Sequence, residues 1–431
     1  MNSNNCLIEK DFVYKCGYVF FYIGLFFLPS AFFISILFLL AAAVIGTIKN
    51  KHYLSNLWNG LFFLCGCMMV TNSVLQNILF DDQINQILNS NLSFIGLANW
   101  IPFFWFFGAF QSYQKSNLER RNIVLAIIFG TFPVLLSGFG QYFFNWLGPF
   151  ETLNGLIIWF QRPIENPSGL TGLFNNQNYA GSWLNFVWPF CIALVLEKTK
   201  NLIKKSFSIS FLVSIGAAAF LTYSRSAWGG ILISIPIVIG SESFIWLFPL
   251  LIIIFCLLLY SALPVFSNEF QELLRQFIPE KMWIIFSKFD FNNISFDRLE
   301  IWKSALEFSF IKPLIGIGAA SFPVLHEIKT GMWFGHSHNL FLEIAISYGF
   351  PVAIFISYLI LFIMSLSCKL VFFQIEKENY YDRAIWGSLF FFLISQLVDA
   401  QYFDSRISMM AWLLLGCLKC IIDENKIKKN I

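Results

Sequence analysis

The sequence predicts an all-α polytopic membrane protein, with about twelve transmembrane helices and one large helical loop on the external side. Three observations carry this. First, 57% of the 431 residues are apolar and only 12% are charged, at a mean hydropathy of +0.67. A soluble domain carries roughly twice that charged share. Second, twelve segments approach the roughly 20 apolar residues that a spanning helix needs. Third, lysines and arginines fall on alternate sides of those segments in a consistent order. The composition excludes a soluble enzyme, a disordered chain and a disulfide-stapled secreted module. A net charge of +3 gives a nucleic-acid partner no electrostatic support.

The spans read as 12–28, 30–48, 57–79, 92–113, 122–146, 178–197, 203–222, 226–241, 244–265, 339–366, 384–399 and 406–422. Pro29 and Ser30 make the first turn tight. The polar N-terminal stretch precedes the first span and does not read as a cleavable signal. Of the 28 Lys and Arg, 18 share one side, among them Lys49, Arg120, Arg121, Lys198, Lys204, Arg383 and Lys419. The positive-inside bias makes that side cytoplasmic, together with both termini. The remaining ten lie outside, and seven of them fall in one loop at 266–338. A second external loop runs from 147 to 177. Loops this long often carry function. The stretch Phe270 to Phe291 mixes apolar and charged residues and reads as interfacial helix. A further helix runs from Asp297 until Pro313 and the Gly316-Ile-Gly318 turn end it. The chain reads as one integral membrane domain over 1–431, and no internal repeat is visible.

Nine cysteines invite a redox or metal reading. Six lie inside apolar runs and none falls in an external loop, so they read as small buried hydrophobes. Cys417-x-x-Cys420 has no second half to complete a zinc site.

Four polar stretches fall on the external side. Gly169 to Gly181 offers amides at Asn175, Asn176 and Asn178; the plainer reading is a capped helix start with turn glycines. Thr222-Tyr-Ser-Arg225 places an arginine in a short turn between apolar spans. Such an arginine needs an anionic partner, and its planar fork fits a phosphate bidentately; the alternative is a snorkelling or paired residue. Arg298 and Trp302 share a helical face at i, i+4, where a cation and an indole suit a phosphate and a sugar. The alternative is an Arg298 paired with Asp297, Glu300 or lipid headgroups. Gly335-His336-Ser-His338-Asn339-Leu-Phe-Leu-Glu343 holds two of the chain's four histidines. No carboxylate or cysteine of matching spacing accompanies them, which disfavours a metal pair. A histidine beside Asn339 and Glu343 suits a general base. Glu343 lies inside an apolar segment, where an ionisable group is a functional candidate.

Taken together these stretches resemble the O-antigen ligase and polymerase superfamily. The family order is a Gly-x-Phe-x-x-x-Asn stretch, a Ser-Arg pair, an Arg-x-x-x-Trp helix, a Pro-Leu-x-Gly-x-Gly-x-x-x-Phe turn and a His-Asn-x-x-Leu-Glu helix start. Here they are Gly172 to Asn178, Ser224-Arg225, Arg298 to Trp302, Pro313 to Phe322 and His338 to Glu343. The match is in motif detail over 165–350 and in hydropathy elsewhere.

The resemblance implies a membrane-embedded glycosyltransferase of the C type, in the bacterial inner membrane, its active site facing the periplasm. Such an enzyme moves a glycan from undecaprenyl pyrophosphate to a lipid A–core hydroxyl, with inversion, no metal and no cofactor. By the same resemblance Arg225 and Arg298 bind the pyrophosphate and His338 is the base. His336, Asn339, Glu343, Trp302 and Asn178 support it, and Phe322 lines the sugar path. Membrane lipids surround the Phe-rich spans. Alternatives within the superfamily are a polysaccharide polymerase and a protein O-oligosaccharyltransferase. A bicarbonate transporter-type relative is disfavoured because the unusual residues gather at the mouth and not at the midplane.

Overall fold

The computed structural model describes residues 3–50, 53, 55–79, 88, 91–146, 148–153, 157–159, 169–174, 176–263, 269–277, 296–373 and 379–430. Asn175, His52 and the 278–295 part of the expected interfacial stretch lie outside the described residues.

The chain is an all-α polytopic membrane protein. Its helices are α1 (Ser3–Phe27), α2 (Phe32–Lys49), α3 (Leu57–Leu79), α4 (Asn91–Gly96), α5 (Ile101–Phe110), α6 (Asn117–Gly130) and α7 (Phe132–Phe144). There follow α8 (Gln177–Leu196), α9 (Leu202–Leu221), α10 (Arg225–Ile239), α11 (Phe244–Ala262) and α12 (Glu269–Phe277). The series ends with α13 (Phe296–Ser309), α14 (Ser321–Thr330), α15 (Leu340–Tyr348), α16 (Phe350–Phe373), α17 (Tyr380–Ser395) and α18 (Ser405–Asn430). Among the described residues, nine segments are long and apolar enough to cross a membrane. The other three expected spans are the apolar part of α1 at Phe12–Phe27 and the shorter helices Arg225–Ile239 and Tyr380–Ser395.

Three expected spans are broken or shifted, two at a proline and one at a glycine. The fourth is α4, a 3-10 turn and α5, with Pro102 in the first turn of α5. The fifth is α6 and α7, with Pro133 in the first turn of α7. Proline fits there because the first amides of a helix have no internal partner. The tenth does not start at 339: α15 stops at Gly349, whose φ of +85° leaves helical space, and the span is α16. The 147–177 loop contains a short antiparallel strand pair, Phe150–Thr152 on Ile157–Trp159, a departure from the all-α expectation.

Burial locates the centre of the bundle. The apolar window of α18 is 89% buried and that of α8 is 72%, against 11% for α11, so α8 and α18 are central and α11 is rim. Close approach relies on small residues, as in other membrane bundles. A Cβ on Gly46 would lie 2.4 Å from the Ala109 carbonyl oxygen, so α2 and α5 meet backbone to backbone there. The cysteines divide: Cys65, Cys191, Cys417 and Cys420 are buried as expected, whereas Cys67 and Cys256 are exposed on helix surfaces.

The basic end of the bundle is tied by buried ion pairs. Arg120 forks onto Asp382 at 2.7 and 2.9 Å and reaches Glu424 at 2.8 Å. Lys419 donates to Gln111 Oε1 at 2.8 Å and to Asp423 at 2.5 Å. These residues marked only a side of the membrane in the sequence; in the fold they join α6, α17 and α18.

The large loop is packed. Ile301, Ala305 and Phe308 of α13 form a second small core with Phe322 of α14, Ile317 and Ile346. This core seats α13 and α14 against α15. Helix α12 folds back onto the end of α11, where Arg275 Nε donates to the Ser261 carbonyl at 2.8 Å.

Candidate active site

Four loops at the end opposite the basic one are joined by hydrogen bonds. The first is the Gly169–Phe174 turn. Leu170 N–H donates to the Leu221 carbonyl at 2.9 Å, and a Cβ on Gly169 would stand 2.0 Å from the Thr222 oxygen. Only glycine lets this turn lie on the Thr222–Arg225 turn. On the other side, a Cβ on Gly181 of α8 would meet Ser224 Cβ at 3.2 Å. The first two motifs are therefore one packed unit. Arg225 opens α10; its side chain is exposed and has no ion-pair partner among the described residues. The N-terminal amides of a helix and a free guanidinium both favour an anion at this position.

The third and fourth motifs meet through Trp302. Its indole Nε1–H donates to the His338 carbonyl at 3.4 Å. Arg298 lies one turn away on the same face of α13, half-buried and without an ion-pair partner among the described residues.

Around His338 the backbone is held at every step. Its φ is +52°, in the left-handed region that side chains rarely adopt. Its N–H donates to His336 Nδ1 at 3.2 Å. Glu343, buried in α15, accepts the Ser337 N–H at 2.9 Å. Asn339 caps α15 by accepting the Leu342 N–H at 3.1 Å and donates to the Leu397 carbonyl at 3.1 Å. Asn339 and Glu343 thus hold the loop rather than face a substrate through their bonded atoms.

The residue that organises the site is Asp399, between α17 and α18. Its Oδ1 accepts from His338 Nδ1 at 3.0 Å and from the Ala400 N–H at 2.9 Å. Its Oδ2 accepts from Asn178 Nδ2 at 3.2 Å and from Gln401 Nε2 at 3.0 Å. Asn178 thus brings the Gly172–Asn178 motif to the histidines, across 221 residues of chain. Burial raises the Asp399 pKa, but the hydrogen bond from His338 and the two imidazoles overcome this and hold it below the ordinary value. The group is a carboxylate, so His338 Nδ1 faces it as a donor, and Nε2 has no hydrogen-bond partner among the described residues. His336 Nε2 stands 3.9 Å from Asp399 Oδ1. Burial, reinforced by the nearby His338, pushes the His336 pKa down to about 4 against the opposing pull of Asp399. His336 is therefore neutral at neutral pH, and its contact with Asp399 is not an ion pair there.

Two sequence readings change here. A carboxylate does accompany the His pair: one ligating atom each from His336, His338 and Asp399 lie within 4.8 Å of one another, a spacing that could hold a metal ion. Phe322 does not line a path; it is fully buried and stacks on His326 with ring centres 5.2 Å apart. Asp399 and Gln401 were not among the expected residues. The signal for Asp399 was an acidic residue at the end of an apolar span.

The O-antigen ligase family model matches residues 209–357. That stretch includes Arg225, Arg298, Trp302, His336, His338, Asn339 and Glu343, but neither Asn178 nor Asp399. The chain is also similar to the ComP-specific O-oligosaccharyltransferase of Acinetobacter baylyi (strain ATCC 33305 / BD413 / ADP1), at 33% identity over 194 residues. That alignment covers 43% of this chain and 32% of the relative, so the match spans about a third of the relative's length. The resemblance to the O-antigen ligase superfamily is borne out by both.

Proposed function

We propose that this protein is a glycosyltransferase of the O-antigen ligase type. It moves a glycan from undecaprenyl pyrophosphate to a lipid A–core hydroxyl at the outer face of the bacterial inner membrane. The observation that carries the reading is the His338–Asp399 pair, with Nε2 of the imidazole left free. His338 Nε2 takes the proton of the acceptor hydroxyl as its oxygen attacks the anomeric carbon. Asp399 keeps the tautomer and stabilises the imidazolium that forms, the role a buried aspartate plays beside other catalytic histidines. The bond to the diphosphate breaks on the opposite face of the sugar, which inverts the anomeric centre. Arg225 and Arg298 neutralise the departing diphosphate, so that no metal is required. Asn178 and Gln401 fix the other carboxylate oxygen and so set the angle of the dyad.

A protein hydroxyl as acceptor is the second reading. It is favoured by the similarity to a relative named for O-oligosaccharyl transfer. The chemistry at His338 is the same in both.

The test is a strain lacking the protein. Its lipid extract is expected to accumulate long glycan on undecaprenyl pyrophosphate while the surface polymer disappears. An intact surface glycan with no accumulation would remove the transfer reading.

A further inference from the structure

We infer that the cavity beside His336 binds one neutral sugar ring of the glycan acceptor; the inference rests on the transfer reading above. The cavity holds about 220 Å³ and its walls include Asn99, Trp100, His336, Glu343, Tyr348 and Phe403. It lies where α4 and its 3-10 turn, the Gly318–Ala320 turn and α15 meet. Pockets that take drug-sized ligands run to about 300–1,000 Å³. This one is smaller and suits a single ring.

The walls match a sugar in chemistry. Half-buried Phe403 offers aromatic surface for an apolar face of a pyranose, while Trp100 and Tyr348 line the wall nearly fully buried. Asn99 and His336 offer hydrogen-bonding groups to its hydroxyls. No lysine or arginine lines the cavity, and its carboxylate is Glu343. The cavity therefore offers a diphosphate no cation, and Arg225 and Arg298 are not among its walls. This leaves the cavity to a neutral ring of the acceptor.

Tyr348 supplies an independent sign. Its side chain is 1% exposed, and its hydroxyl has no hydrogen-bond partner among the described residues. Buried hydroxyls are rarely left so. The hydroxyl lies beside Gly96, where a Cβ would come within 2.8 Å of it; Gly96 itself lines the cavity. A sugar hydroxyl at this wall gives Tyr348 its partner. The cavity also adjoins the base: the His336 and His338 rings are 4.4 Å apart, centre to centre. His336 is thus a positioning residue between ring and base.

The test uses the full chain in nanodiscs, with lipid-linked glycan as donor and lipid A–core as acceptor. Tyr348→Phe removes only the unpartnered oxygen, so the thermal midpoint should hold or rise. The acceptor KM should rise about three- to tenfold, the loss of one neutral hydrogen bond, with kcat and donor KM unchanged. Asn99→Ala should shift the acceptor KM in the same direction. Saturation-transfer NMR with free D-glucose, D-galactose and N-acetylglucosamine should show a ring signal on the wild type that weakens in Tyr348→Phe. If His338-dependent transfer occurs but Tyr348→Phe leaves the acceptor KM unchanged, the cavity assignment falls and the transfer reading stands. If the sugars bind in a Tyr348-dependent way but no acceptor is glycosylated, the transfer reading falls and the binding site stands. Transfer to a protein hydroxyl with sugar acceptors inert would overturn the assignment.

Discussion

Asp399→Asn tests the dyad with almost no change in shape. The carboxylate accepts four hydrogen bonds, and every group around it is a donor: His338 Nδ1, the Ala400 N–H, Asn178 and Gln401. An amide in its place has one donor end and must face a donor on whichever side that end is put. Gln401 cannot turn freely to relieve this, because its Oε1 accepts from Gln396 Nε2 at 2.8 Å, and Gln396 Oε1 in turn accepts the Tyr402 N–H at 3.1 Å. His338 can change, by moving its proton to Nε2, and that change removes the acceptor that the proposed base role needs. Losing the charge-assisted bond to the imidazolium alone costs about 1.5–3 kcal/mol, or roughly ten- to hundredfold at about 1.4 kcal/mol per decade. With the tautomer also wrong, the expected loss in kcat approaches that of the whole general base, about 10²- to 10⁴-fold. The assay is single-turnover transfer from a lipid-linked donor, with the thermal midpoint as control for folding. His338→Ala and the double variant should be no slower than about the same level, because the two residues act as a unit. A rate within threefold of wild type, in a folded Asp399→Asn protein, would refute the role given to Asp399.

Other expectations follow from the same contacts. Folding favours neutral His336, whose pKa falls to about 4, while the unfolded chain takes up its proton near about 6.5. The unfolded state therefore binds more protons between those values, and wild-type stability should decline as pH falls through that window. His336→Gln should show a shallower decline in thermal midpoint between pH 7 and 5; an identical slope would contradict the shift. Arg225→Lys keeps the charge but loses the fork, and transfer should drop about ten- to hundredfold with the fold unchanged; unaltered kinetics would free Arg225 from the diphosphate. Arg120→Met strands Asp382, which is fully buried, and should cost about 3–5 kcal/mol. The double variant Arg120→Met with Asp382→Leu should recover most of it in a melt, and failure to recover would mean the pair is more than a compensated charge.

The fold class was legible because the apolar segments and the lysine placement are properties of single stretches. The breaks inside three spans had local signals too, in Pro102, Pro133 and the Gly349-Phe-Pro351 sequence, but a hydropathy window averages over them. The strand pair Phe150–Thr152 and Ile157–Trp159 is short and has no long alternation to reveal it. In the site, residues that lie close along the chain were legible: His336, His338, Asn339 and Glu343 fall within eight positions. Their partners were not. Asp399 is 61 residues from His338 and Asn178 is 221 from Asp399, and nothing in the sequence pairs them. Asp399 also sits at the end of a span, where it reads as an ordinary polar terminus. Phe322 shows the converse: a motif position to which the resemblance gave a sugar contact belongs to a core that only the packing of α13 on α14 makes visible.

If His338 is the base of a metal-free transfer, single-turnover transfer in proteoliposomes with EDTA present must separate wild type from His338→Ala. The wild-type rate should be unimpaired in chelator, and the variant should lose at least about 10²-fold. Wild-type-like transfer by His338→Ala would contradict the assignment. Loss of wild-type transfer in EDTA, restored by a divalent ion, would instead make His336, His338 and Asp399 a metal site.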